Sequence, residues 1–568
     1  MSVAISHSHF GLEPEVSTQA RTVAIVSSKP GFFAASLANE LRRLQPGWHW
    51  KLLDHPESAG VAAAPAEGTS YVYLPALATR DGMVPDLREA QLVFESAASH
   101  PGCHFVLLSS ALVYGTGPGR TGFVTEDQPP CRNGGDRVSQ TWSSLESLAY
   151  RYLDKTALTI LRPTTVLGSP TLFCRLFEHR FVPSLPGHDP VLQLLSLSDL
   201  ASAVLCVIKA DQPGIFNVAP DDVVPLHAAI RLRRGIRVPI PRTLRRAVTR
   251  PATLDYLRYP WTVGNAKIKE QLGFTPRQTS AGALLEFCNR APDSAEPELR
   301  FDEFGMDKKY IRFYGNSLFR LVSDCYWRIE SRGLEHIPGE GPGILVGMHR
   351  GFMPFDGVMA LHTVVRKTGR FPRFLTHPAL LKFPFLSNFM TKLGGVVACQ
   401  QSADHVLANR ELLGIFPEGI HGAFTRYREA YKLQAFGRDA FVKLALRHRA
   451  PIIPFVTVGS AEIFPIFGKI KSPRWTRYAG WPFIPITPTF PLLPLPLPSK
   501  WHTQFLSPVS VDQYPPGAAG DPAVVKALSR EVRTKMQQAV DEMLSKRRSI
   551  FWGSIFERRK DEGQPLEV

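Results

Sequence analysis

The sequence predicts an α/β protein built as two domains, and three observations carry that prediction. The chain has 568 residues, more than one hydrophobic core usually organises. Apolar runs of strand length alternate with segments of helical period along most of it. The run APDSAEPELRFDEFG, residues 291–305, is acidic, polar and proline-containing, and reads as a linker. With 44% apolar and 20% charged residues, the composition excludes a disordered or fibrous chain. The expected organisation is a flexible N-terminus over 1–20, a first domain over 21–290, the linker, a second domain over 306–555 and a polar tail over 556–568.

From Arg21 the chain reads TVAIVSS, a turn KPG, the apolar-periodic FFAASLANELRRL and then WKLLDHP, which predicts strand, turn, helix, strand. YVYLPAL, HFVLLSS, LTILRPTTVLG and GIFNVAP supply further strands, the last three spaced by helical stretches, as a parallel sheet requires. The order of SSALVYG (109–115), ILRPTTVLGSP (160–170) and LSLSDLASAVL (195–205) resembles the extended short-chain dehydrogenase and NAD-dependent epimerase family. The resemblance implies a Rossmann-like domain over 21–290. In that family a glycine-rich first turn lets backbone approach a pyrophosphate at a helix N-terminus. Here the turn keeps Gly31, and Asp54 ends the second strand where the ribose-binding acid belongs, so these two are the candidate NAD(P)-binding residues. The family's redox step uses a Tyr-x-x-x-Lys pair, and RVSQTWSSLESLAYRY (137–152) has none; Trp142 and Glu146, or Val138 and Trp142, stand there according to register. The expected domain is therefore degenerate, without dehydrogenase or epimerase activity.

After the linker, helical periodicity resumes in YIRFYGNSLFRLVSDCYWRIESRG, and GILVGM reads as a buried strand delivering His349 at its C-terminal end. His349 and Asp356 stand seven positions apart in GMHRGFMPFDG, roughly 10 Å along a continuous helix and too far for a hydrogen bond. Gly351 and Pro354 disfavour a helix there, whereas Pro354 suits the start of one running through DGVMALHTVV. Asp356 then lies in the first helical turn, favoured by the macrodipole, and the preceding loop can turn His349 back toward it. Downstream, LGGVVACQQSADHVLANRELLGIFPEGIHGAF reads as strand, helix, strand and the turn Phe416, Pro417, Glu418, Gly419. YKLQAFGRDAFVKLALRHRAP then reads as helix and PIIPFVTVG as strand.

Together these blocks resemble the glycerolipid and lysophospholipid O-acyltransferase family, over residues 306–555. The six-residue gap between His349 and Asp356, against four in commoner members, and the proline-rich ITPTFPLLPLPLPSKWHTQF are similar to the monoacylglycerol and diacylglycerol acyltransferase branch. The arginine that many members carry in the second block is absent from GGVVACQQ, so the resemblance does not imply a phosphorylated acceptor. It implies that His349 is the general base on an acceptor hydroxyl and that Asp356 fixes its tautomer. The acyl group would come from acyl-CoA or an acyl carrier protein, with no cofactor required for the transfer. Arg350, Phe416, Pro417, Glu418 and Gly419 are the implied substrate-binding residues, although by itself Arg350 reads as a surface arginine. The competing expectation is an NAD(P)-dependent or nucleotide-sensing module fused to a lipid-binding domain.

The net charge of +16 is concentrated in residues 301–568, which hold 36 Lys and Arg against 23 Asp and Glu. Such asymmetry suits an anionic membrane surface. Nucleic acid is not expected, because the basic residues carry no recognition motif. The expected docking segments are RKTGRFPRFLTHPALLKFPFL (366–386) and SKRRSIFWGSIFERRK (545–560), which mix basic and aromatic residues. Seven scattered cysteines without a CxxC pair point to neither a metal site nor a disulfide framework. The first twenty residues lack a signal-peptide pattern, and no long unbroken apolar stretch appears, so the expected location is cytoplasmic and peripheral on the inner face of the membrane.

Overall fold

A computed structural model describes residues 21–27, 32–53, 69–78, 83–99, 102–116, 122–131, 136–154, 156–240, 256–259, 261–289, 301–378, 380, 385–437, 439–490 and 495–556. The expectations for Gly31, Asp54, residues 1–20 and the tail beyond Phe556 lie outside the described residues.

The first domain is a six-stranded parallel sheet. Its strands are β1 (Thr22–Val26), β2 (His49–Leu53), β3 (Ser70–Tyr73), β4 (His104–Leu108), β5 (Ala157–Pro163) and β6 (Gly214–Val218), in the order β6-β5-β4-β3-β1-β2. Alternation along β1 sends Val23 and Ile25 to one face, against α1 (Phe32–Leu44) and α4 (Leu197–Ala210). Ala24 and Val26 face α2 (Leu87–Ala98) and α3 (Arg137–Tyr152) on the other. Both faces are buried, which is why the strands read as continuous apolar runs. The chain leaves β1 toward β2 and returns to β3 on the opposite side, so a crevice opens at the ends of β1 and β3.

The second domain is a seven-stranded mixed sheet of β7 (Glu330–Arg332), β8 (Gly343–Gly347), β9 (Arg373–Thr376), β10 (Gly395–Val397), β11 (Leu412–Ile415), β12 (Ile452–Val458) and β13 (His502–Phe505). Their order is β7-β13-β12-β8-β11-β9-β10, with β13 antiparallel to β12. Ile344 and Val346 of β8 pack toward α6 (Gln400–Ala408), α7 (Ala440–His448) and α8 (Pro522–Lys546). Leu345 packs toward α5 (Phe355–Thr368), Trp327 and Trp501. The apolar stripe Val525, Leu528, Val532, Met536, Val540 and Met543 of α8 is buried, as its helical spacing predicts. Helix was predicted across 431–451, yet it forms only over Ala440–His448. The preceding turn instead spends its backbone on the buried polar groups described below. No helix among the described residues is long and apolar enough to cross a membrane.

The stretch read as a linker is packed where it is described. Phe301 bridges Val223 of the first domain, and Phe304 lies 5.5 Å from the ring of Phe123. Glu303 meets His405 at 2.5 Å, and Lys392 reaches Asp189 across the same boundary at 3.4 Å.

Candidate active site

Strand β8 ends at Gly347, and the chain turns through Met348 to Pro354 before entering α5. Gly351 makes that reversal at φ 74°, where a side chain costs about 1–2 kcal/mol. Gly351→Ala is therefore expected to lower the urea midpoint of unfolding by an amount equivalent to that cost and to slow catalysis through the displaced loop.

The reversal brings His349 Nδ1 to 2.7 Å from Asp356 Oδ2. The same carboxylate oxygen accepts from the Arg350 backbone N–H at 2.8 Å, and Oδ1 accepts from the Gly357 N–H at 2.8 Å, in the first turn of α5. Asp356 is only 3% exposed, so three N–H donors hold it in one orientation. With a carboxylate at Nδ1, the imidazole carries its proton there and leaves the Nε2 lone pair for another partner. His349 lines a cavity of about 200 Å³, and its ring is 5.0 Å from that of Phe416. Asp356→Asn is expected to lower kcat by about 10² to 10⁴-fold with little change in KM, because the tautomer is no longer fixed; steady-state kinetics check this.

The cavity is apolar. Phe352, Leu361, Phe374, Met390, Phe424 and Trp481 supply much of its wall, and Gly419 lies at its edge. Of the implied substrate-binding residues, Phe416 and Gly419 line it; Arg350, Pro417 and Glu418 do not. Nor is Arg350 a surface arginine, being 1% exposed with Glu418 at 2%. The two pair at 2.7 and 3.1 Å, and the remaining Arg350 donors go to the carbonyls of His349, Ala430 and Lys432. Glu418 also accepts from the Gln434 N–H at 2.6 Å. With all five guanidinium N–H groups engaged, the pair fastens the His349 loop to the 430–434 turn. The wall contributed by Trp481 had one sequence signal, its place beside the proline-rich stretch. The segment 366–386 is less of a surface than expected: Arg373 and Phe374 are buried, with Arg373 paired to Asp302 and Glu411.

In the first domain the crevice beyond β1 and β3 is lined by Leu74, Leu108, Ser109 and Trp142, among others. The Trp142 indole donates to the Met83 carbonyl at 2.9 Å. Glu146 accepts from Ser109 Oγ at 2.7 Å and pairs with the Arg162 guanidinium at 2.6 and 2.9 Å. Burial works against the charge on Arg162, but the Glu146 carboxylate and the Tyr114 hydroxyl together outweigh it and raise its pKa. At the positions of the family's tyrosine and lysine, Trp142 and Glu146 supply no phenol or amine to exchange a proton during hydride transfer, and the Tyr114 phenol of the same network is tied between Arg162 and Asn217 at 2.8 Å each. These residues do not fit a redox use of NAD(P).

The acyltransferase family profile matches residues 328–458, which take in the His-Asp loop and the Phe416 to Gly419 turn. The chain is 38% identical over 259 residues to an uncharacterized protein of Mycobacterium tuberculosis (strain ATCC 25618 / H37Rv), covering 44% of this chain and 72% of that protein. A Bos taurus protein described as a DGAT1/2-independent enzyme synthesizing storage lipids is 25% identical over 222 residues, 39% of this chain and 60% of that one. Among solved structures, dTDP-glucose 4,6-dehydratase from Bacillus anthracis in complex with NAD aligns with a TM-score of 0.39 and 14% identity, over 48% of this chain and 96% of that one. The chain belongs to the family of the mycobacterial protein, and its C-terminal half holds an acyltransferase domain.

Proposed function

We propose that the protein transfers a fatty acyl group from an acyl thioester, acyl-CoA or acyl carrier protein, to a hydroxyl of a glycerolipid or lysophospholipid, with His349 as general base. The observation that carries this reading is the His349–Asp356 pair at the wall of an apolar cavity. Nε2 takes the proton of the acceptor hydroxyl as its oxygen attacks the thioester carbonyl, and Asp356 stabilises the resulting imidazolium. When the tetrahedral intermediate collapses, the C–S bond breaks and the imidazolium returns the proton to the leaving thiolate. No enzyme nucleophile is needed. The apolar walls exclude water from the thioester and suit an acyl chain. The storage-lipid description of the Bos taurus relative favours an uncharged acceptor such as a monoacylglycerol or diacylglycerol.

The acceptor would be met at an anionic membrane surface on the cytoplasmic side, through the 545–556 segment, where Ile550, Phe551 and Trp552 are exposed. The first domain would serve as a scaffold, and fluorescence titration with NADH would reveal a nucleotide-sensing role. The decisive assay incubates the protein with labelled acyl-CoA or acyl carrier protein and a panel of lysophospholipids, monoacylglycerol, diacylglycerol and long-chain alcohols. Label is expected in one lipid acceptor; label in none of them, from either donor, would overturn the proposal.

A further inference from the structure

A second cavity of about 700 Å³ lies on the α8 face of the second domain, away from the α5 face that carries the His349 loop. The pairing of His502 with Val458 places it at the end of the sheet where β12 stops, which is also the end where β8 delivers His349. Arg332 of β7 projects to the same side as His502, two pairs along the ladder. The end of α8 and the residues after it complete the wall with Lys546, Arg547, Arg548 and Trp552.

The polar groups here are arranged for a ligand more than for one another. His502 is 0% exposed; the Gly553 backbone lies beside its ring and favours the charged form, but neither ring nitrogen makes a hydrogen bond of normal geometry among the described residues, and the nearest carboxylate oxygen stands 3.7 Å away on Glu330. Burial lowers the His502 pKa to about 4, so at neutral pH the imidazole is an uncharged donor and acceptor. Arg547 Nη1 donates to Glu462 and Tyr431 and Nη2 to the carbonyls of Lys500 and Ile550, but its buried Nε has no partner among the described residues. Arg332 and Arg548 meet no carboxylate among the described residues. Among the described residues Glu542 is the one acidic residue lining the cavity, and it pairs with Lys546 at 2.6 Å. The Arg332 guanidinium, stacked on the Phe556 ring at 4.9 Å but paired with no carboxylate, the Arg548 guanidinium, the buried Arg547 Nε–H and the His502 imidazole line one cavity, which is the donor set an anionic oxygen cluster needs. The rim indicates its source: Trp552 is 70% exposed and stacks under Arg328, with Phe551 and Ile550 beside it, an apolar edge flanked by cations as at a bilayer interface.

We propose that this cavity binds a phosphate group as presented by an anionic phospholipid headgroup, while Ile550, Phe551 and Trp552 enter the interface around it. The inference rests on the membrane-docking part of the proposed function and is independent of acyl transfer.

The test uses the full chain, sedimented with vesicles of phosphatidylcholine with or without phosphatidylglycerol, and titrated calorimetrically with inorganic phosphate. Wild type, Arg332→Glu with Arg548→Glu, and a control reversing the remote exposed pair Arg42→Glu with Arg43→Glu are compared; Arg332→Gln with Arg548→Gln serves if the reversal unfolds the protein. The cavity variant is expected to lose at least about tenfold in partition onto phosphatidylglycerol vesicles, and the control less than about twofold. Phosphate binding lost in parallel would show that the phosphate itself is recognised. Phosphate binding without vesicle binding would sustain the anion site and assign it to a soluble ligand, overturning the headgroup and the docking reading. Equal losses in cavity variant and control, no loss in either, or no binding of vesicles or phosphate by the wild type would overturn the proposal.

Discussion

His349→Ala is expected to reduce acyl transfer by about 10³ to 10⁴-fold, the upper part of the range for a lost general base, with the fold retained. The fold survives because His349 lies at the cavity wall and its one side-chain hydrogen bond among the described residues goes to an Asp356 that keeps two backbone donors, from Arg350 and Gly357. The loss should appear in kcat, since the imidazole acts on a proton in transit and contributes little to holding either lipid chain. Steady-state kinetics with a fixed thioester donor, alongside circular dichroism, separate the two effects. Turnover within tenfold of wild type would remove His349 from the mechanism.

Glu418→Ala is expected to destabilise the second domain by about 3–5 kcal/mol, because it strands the buried Arg350 charge. The effect should extend to catalysis. Arg350 ties the carbonyl of His349 to those of Ala430 and Lys432, and its own backbone N–H helps to orient Asp356. Denaturant unfolding followed by tryptophan fluorescence measures the loss. Glu418→Gln should cost less, since the amide oxygen can keep one guanidinium bond. If Glu418→Ala left the unfolding midpoint unchanged while raising KM for the acceptor, Glu418 would contact the hydroxyl substrate after all.

The Phe416 to Gly419 turn shows how motif and role part company. The turn is legible in the sequence because an apolar strand, LLGIF, must end and a proline and glycine mark where it does. Which of its side chains faces the cavity is not legible, since the answer depends on where the 430–434 backbone lies. That segment, helical by periodicity, stays open because its carbonyls and the Gln434 N–H satisfy Arg350 and Glu418, a demand arising from residues more than ten positions away. A buried charge must be paired, and tertiary contact overrides a weak helical preference to achieve it.

The His-Asp loop was more fully legible. Its glycine and proline exclude a continuous helix, Pro354 starts the next one, and the macrodipole favours Asp356 in the first turn, all of them local effects. Likewise the two sheets follow from apolar runs long enough to be strands, and the α8 core face from residues spaced at the helical period. What the sequence determined by itself was therefore what short-range stereochemistry and hydrophobic period dictate: the strands of the two sheets, the α8 core face, the two domains and the reach of His349 to Asp356. Only the tertiary structure decided what long-range packing dictates. It buried Arg350 and Glu418 behind the cavity, packed Phe301 and Phe304 between the domains, and set His502 among guanidinium groups from distant segments, because burial and charge pairing depend on neighbours that the linear sequence does not place side by side.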